Sequence, residues 1–98
     1  MADPLLDDEA LAVALAELPS WSMRAGGLHR ELVFPSFTAA FAFMTELAVV
    51  AERIDNHPDW CNSERRVAID VISHAAAGVT ARCMALARSA DEIAARHL

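Results

Sequence analysis

The sequence predicts an α+β fold of order α-β-β-α-β-β-α, a four-stranded antiparallel sheet covered on one face by helices. Three observations predict it. Apolar residues recur at helical spacing in three separate segments, Ala25-Gly26-Gly27 divides two short strand-like runs, and Arg66 to Ser73 alternates in the manner of a half-buried strand. At 98 residues the chain has material for one core and not two, so one domain over residues 1–98 is expected.

Asp7 and Asp8 suit the start of a helix, where a side-chain carboxylate accepts free backbone N–H groups. Leu11, Leu15 and Leu18 form its apolar stripe, and Pro19 ends it. Trp21 to Arg24 and Leu28 to Phe34 read as strands around a glycine-bearing loop that can take positive φ and close a hairpin.

Pro35-Ser36 opens the longest helix. Its apolar residues fall on two stripes, Phe37, Phe41, Met44, Ala48, Ala51 and Ala40, Phe43, Leu47, Val50, Ile54. One stripe would cover a sheet, so two imply a second buried surface. Ala39, Ala40 and Ala42 permit close approach of a partner, and a subunit interface is expected among Ala40, Phe43, Leu47 and Val50.

This helix should stop near Asp55, because Pro58 disfavours helical geometry at His57 and has no N–H to donate. Asn62-Ser63 reads as a turn before the Arg66–Ser73 strand, in which Val67, Ile69 and Val71 share one face. Ala68, Asp70 and Ile72 share the other, and His74 continues on their side. Gly78 breaks the strand, Thr80 caps the last helix, and Met84, Ala87, Ala90 and Ile93 or Ala94 supply its stripe.

Composition excludes several classes of function. A net charge of −6 and the absence of any Lys argue against binding a phosphate backbone, so no nucleic-acid partner is expected. No apolar run reaches membrane-spanning length, and the first residues are acidic where a secretory signal would be basic. A cytoplasmic protein without a membrane partner is the expectation. Hydrophobic residues make up 55% of the chain, an excess that suggests burial between subunits in a homodimer or homotetramer. Cys61 and Cys83 are too few for a disulfide framework or a zinc signature, and both read as reduced packing residues.

The chemistry concentrates at the exit of the long helix, Glu52-Arg-Ile-Asp55-Asn56-His57-Pro58-Asp59-Trp60. Imidazole exchanges protons near neutral pH, so His57 there and His74 beyond a strand end are candidates for paired acid and base work in one pocket. Glu52 or Asp55 could fix a ring tautomer, and Trp60 or Trp21 could form an apolar wall. Histidines at helix ends also serve simply to cap carbonyls, and position alone leaves both readings open. Asp55, His57 and His74 lack a recognised ligand spacing, so no metal is expected. His29 and His97 read as surface residues, the latter in a fraying tail, and Arg65-Arg66 as a solvated pair.

Ala40-Phe-Ala-Phe-Met-Thr45, the Glu52–Trp60 run, Trp60-Cys61-Asn62 and Ser73-His74 together resemble the pterin-4a-carbinolamine dehydratase family. The register of the resemblance runs from about Leu11 to Ala94. It implies the fold derived above, assembly as dimers or tetramers, and dehydration of 4a-hydroxytetrahydrobiopterin to quinonoid dihydropterin, which recycles tetrahydrobiopterin without a further cofactor. It also implies a site in which His57 and His74 are catalytic. Glu52, Asp55, Asn56, His57, Ile72, Ser73, His74 and Ala75 would bind the pterin.

Three positions depart from the family pattern. Asn56 holds the place of the first histidine of a His-His-Pro element, Glu64 that of an aromatic, and Cys83 that of an acid at the start of the last helix. A binding or assembly protein that keeps the fold with impaired catalysis is therefore the alternative. Some relatives act as a dimerisation cofactor of a transcription factor or as helpers of carboxysomal RuBisCO.

Overall fold

Asp7 accepts the Ala10 N–H at 2.8 Å and so starts α1 (Asp8–Ala16) in the computed structural model, which describes residues 3–98. Ser36 does the same for α2 (Phe37–Ile54) through the Ala39 N–H, and Thr80 for α3 (Ala81–His97) through the Cys83 N–H. Capping hydroxyls and carboxylates thus fix where all three helices begin. Between them lie β1 (Ser22–Arg24), β2 (Gly27–Val33), β3 (Asp59–Ser63) and β4 (Arg66–Val71), antiparallel in the order β1-β2-β4-β3. The predicted architecture is the observed one.

Register explains which side chains meet the helices. Leu28 pairs with Val71 and Leu32 with Val67, which puts Leu28, Leu32, Val67, Ile69 and Val71 on one face, all buried. Ala40, Phe43, Leu47 and Ala51 of α2 and Met84, Leu86, Ala87 and Ala90 of α3 fill the rest of the core. The Phe34 and Phe43 rings meet at 5.0 Å between centroids, tilted by 34°. Burial of each large apolar side chain of this kind stabilises the fold by roughly 1.5–3 kcal/mol.

Periodicity finds both stripes of α2 but does not say which one faces inward. Ala40, Phe43 and Leu47 have 0% exposure within the chain itself, so they are core residues and not a subunit interface. Val50 is also packed against that core. The stripe left open runs instead through Phe37, Phe41 and Val49, each more than half exposed.

Smaller corrections have local causes. Asn62 and Ser63 belong to β3, and the turn lies at Glu64-Arg65, where Glu64 takes φ 52°. The Asn62 amide donates to the Glu64 and Arg66 carbonyls at 2.9 and 3.0 Å, so its turn-forming chemistry acts from the strand. His29 is buried, because strand pairing sets it between Ser22 and Asp70, with Nδ1 2.9 Å from the Asp70 carboxylate and Nε2 3.4 Å from Arg24 Nη1. His97 does not fray; α3 continues through it, and its Nε2 lies 2.8 Å from Glu46 of α2. Cys61 is exposed on the edge strand, whereas Cys83 is buried.

Candidate active site

Two chain reversals bring the candidate residues together. At the end of α2, Asp55 adopts the left-handed conformation with φ 54° and ψ 46°, and the Asn56 N–H returns to the Ala51 carbonyl at 3.0 Å. This closure turns Asn56 and His57 out of the helix before Pro58. Beyond β4, Ser73 and Gly78 exchange backbone hydrogen bonds at 2.8 and 3.2 Å, which closes a loop that carries His74.

The exit of α2, this loop and the first turn of α3 enclose a cavity of about 350 Å³. Asp55, Asn56, His57, Ile72, Ser73, His74 and Ala75 line it, together with Asp3, Thr80 and Arg82. The two imidazoles, contributed by separate elements, therefore border one space.

Each imidazole is tied to a carboxylate. His57 Nε2 lies 2.9 Å from Glu52 Oε1, and His74 Nε2 lies 3.0 Å from Asp59 Oδ2. A neutral ring held this way donates its Nε2–H to the carboxylate and keeps the Nδ1 lone pair as its basic atom. Among the described residues neither Nδ1 has a hydrogen-bond partner. Both rings are more than half exposed, so water screens these pairs and their main effect is orientation.

Glu52 stands outside the cavity wall and reaches the site only through His57. Neither tryptophan lines the cavity: Trp21 is buried with its Nε1–H donated to Asp91 at 2.8 Å, and Trp60 packs against the core. Ile72 and Ala75 supply the apolar wall in their place. Asn56 is 7% exposed, and its Nδ2 donates to Cys83 Sγ at 3.4 Å. Its amide nitrogen is therefore engaged inward. Among the described residues no three His, Cys, Asp or Glu side chains converge as a metal-binding group, and no helix is long and apolar enough to cross a membrane.

Sequence reasoning missed Asp59, Thr80, Arg82 and Asp3 as site residues. Asp59 becomes a partner of His74 only once β3 is registered on β4, opposite Asp70. Arg82 did carry a signal, since a cation in the first turn of a helix opposes the dipole and needs another reason to be there.

Residues 4–93 match the family described as Pterin 4 alpha carbinolamine dehydratase. A protein from Afipia carboxidovorans named as a candidate pterin-4-alpha-carbinolamine dehydratase is 49% identical over 94% of each chain. One of the same description from Mesorhizobium japonicum is 46% identical over 85% of this chain and 87% of its own. A crystal structure of a transcriptional coactivator/pterin dehydratase from Brucella melitensis superposes with a TM-score of 0.89 at 33% identity, covering 92% of this chain and 98% of that one. The sequence motifs, the architecture and these similarities agree: the chain belongs to the pterin 4 alpha carbinolamine dehydratase family.

Proposed function

We propose that this protein catalyses the dehydration of a pterin-4a-carbinolamine, 4a-hydroxytetrahydrobiopterin, to quinonoid dihydropterin in tetrahydrobiopterin recycling, with His57 and His74 as the proton-transfer groups. The observation that carries the reading is that both imidazoles border one cavity, each bound to a carboxylate through Nε2. A volume of about 350 Å³ falls within the roughly 300–1,000 Å³ of small-molecule sites.

In the reaction one imidazole accepts the proton of the ring N–H while the nitrogen electron pair forms the C=N bond. The C–O bond to the neighbouring carbon breaks, and the other ring, as imidazolium, protonates the departing hydroxide to water. Net protonation of the pair is unchanged, so return of one proton between them resets the site. General acid or base groups each contribute about 10²–10⁴ in rate. Asp55 and Asn56, with the backbone at Ile72, Ser73 and Ala75, would orient the pterin, and Glu52 and Asp59 hold the rings.

The test follows disappearance of the 4a-hydroxy intermediate with wild type, His57→Ala and His74→Ala. Wild type should accelerate it and each variant should lose about 10² or more of that acceleration. No acceleration by wild type ends the enzymatic reading.

One observation favours a second reading, a binding or assembly protein with impaired catalysis. Asn56 cannot exchange a proton as an imidazole does, and its amide nitrogen is occupied by Cys83. The Brucella structure is named as a coactivator as well as a dehydratase.

A further inference from the structure

Strand alternation sets Val67, Ile69 and Val71 of β4 against the helices and turns Asp70 to the open face of the sheet. Register then lines up three titratable side chains on one rung of that face, because His29 of β2 and Asp59 of β3 both stand directly opposite Asp70. His29 and Asp70 lie outside the cavity wall. The row reaches the site through Asp59, whose Oδ2 is 3.0 Å from His74 Nε2.

The inner end of this row is fixed. Arg24 Nη1 lies 3.4 Å from His29 Nε2, and a guanidinium only donates, so Nε2 is the acceptor. Glu31 Oε2, at 3.6 Å from the same nitrogen, is beyond hydrogen-bond reach. The ring proton therefore sits on Nδ1, which donates to Asp70 Oδ1 at 2.9 Å. The His29 side chain is only 10% exposed, so this donor holds the Asp70 carboxylate in place. The outer end is loose, with the Asp59 side chain 62% exposed. Directly opposed residues on neighbouring strands have Cβ atoms about 4.5–5.5 Å apart, and like charges there repel. An Asp70 carboxylate that is held from one side thus bars Asp59 from turning inward over the sheet and leaves it the direction of His74.

We propose that Asp70, anchored by His29, is a positioning residue for the dehydration: it confines the Asp59 carboxylate to His74 and so keeps that imidazole aimed into the cavity. This rests on the dehydratase reading above. It extends the machinery to a rung of the open sheet face and leaves proton transfer to His57 and His74.

The test combines turnover of the 4a-hydroxy intermediate with proton NMR of the full chain free of ligand. Asp70→Asn keeps an acceptor for His29 and presents an amide donor to Asp59, which should turn toward it. Turnover should then fall by about two- to fivefold in kcat, the size of a cross-strand charge effect, with KM near wild type. The nuclear Overhauser contact between the Asp59 β-protons and the His74 ring should weaken in the same variant. Asp59→Asn should lower kcat at least as far, and Asp59→Asn/Asp70→Asn no further than Asp59→Asn alone, because Asp70 acts through Asp59. His29→Leu, which releases Asp70, should lower kcat in the same way, whereas His29→Asn, which keeps an amide donor in place of Nδ1–H, should stay near wild type. Wild-type kcat in Asp70→Asn, additive losses in the double variant, or an undiminished Overhauser contact overturns the inference alone. A wild-type chain that does not accelerate loss of the intermediate overturns the dehydratase reading and the inference with it.

Discussion

Asn56 and Cys83 lie 27 positions apart in sequence, at two places where the resemblance implies a histidine and an acid. The structure puts them in direct contact, amide nitrogen to sulfur at 3.4 Å, with both side chains buried. A change at either residue is therefore felt by the other. Asn56→His alone would bury an imidazole against a thiol, which is a poor acceptor, and should cost about 1–3 kcal/mol with little gain in rate. Adding Cys83→Asp supplies a carboxylate at the same contact, and the double variant should raise turnover by about 10². Rate assays and denaturant midpoints of the two single variants and the double check this; a full gain from Asn56→His alone contradicts it.

At this scale the sequence was informative about identity and poor about contact. His57, His74 and Asp55 were recognisable from their places at element ends. Asp59, Arg82 and Asp3 were less so, because each meets its partner only across the fold: Asp59 and His74 lie 15 positions apart, and Asp3 and Arg82 lie 79.

Elements show what local rules decide. Helix starts at Asp7, Ser36 and Thr80 were legible because a cap is a short-range hydrogen bond. The turn at Glu64-Arg65 was not, since neither residue favours positive φ and Asn62 braces it from within β3. The end of α3 was not legible for a similar reason. His97 and Arg96 are held by Glu46 of α2, at 2.8 and 2.6 Å, and no pattern within α3 announces that partner.

The same contact makes the helix pair sensitive to acid. Hydrogen bonds from His97 first and Arg96 second hold the Glu46 carboxyl below its ordinary value of 4.5. A carboxyl lowered in the folded state stabilises that state fully above its unfolded value and loses the contribution as pH falls through the folded one. Glu46→Gln should therefore lower the urea midpoint near neutral pH and have little effect below about pH 3, where wild type has lost the same contribution. An equal deficit at both pH values contradicts this assignment.

For the whole molecule, the α-β-β-α-β-β-α order and one-sided sheet were readable because strand alternation and helix stripes are written over many residues. Which α2 stripe faces the sheet was not, because both are apolar and only the closed structure chooses. With Ala40, Phe43 and Leu47 consumed by the core, assembly is expected through the open stripe, where the Phe37 and Phe41 rings already lie 5.9 Å apart and Val49 follows. A second copy presenting the same stripe is the natural cover for so apolar a face, as in an isologous contact. Phe41→Glu should then shift light scattering toward the monomer while leaving the fold intact; a wild-type chain that is monomeric at micromolar concentration contradicts the expectation.

The proposed reaction requires His57 and His74 to serve one ligand. The chain has 4 histidines, so ring resonances in a heteronuclear NMR titration are few enough to follow individually. Addition of 7,8-dihydrobiopterin should move the His57 and His74 signals together along one binding curve and leave His29 and His97 in place. Movement of only one of the pair, or two curves with different midpoints, would contradict a shared site.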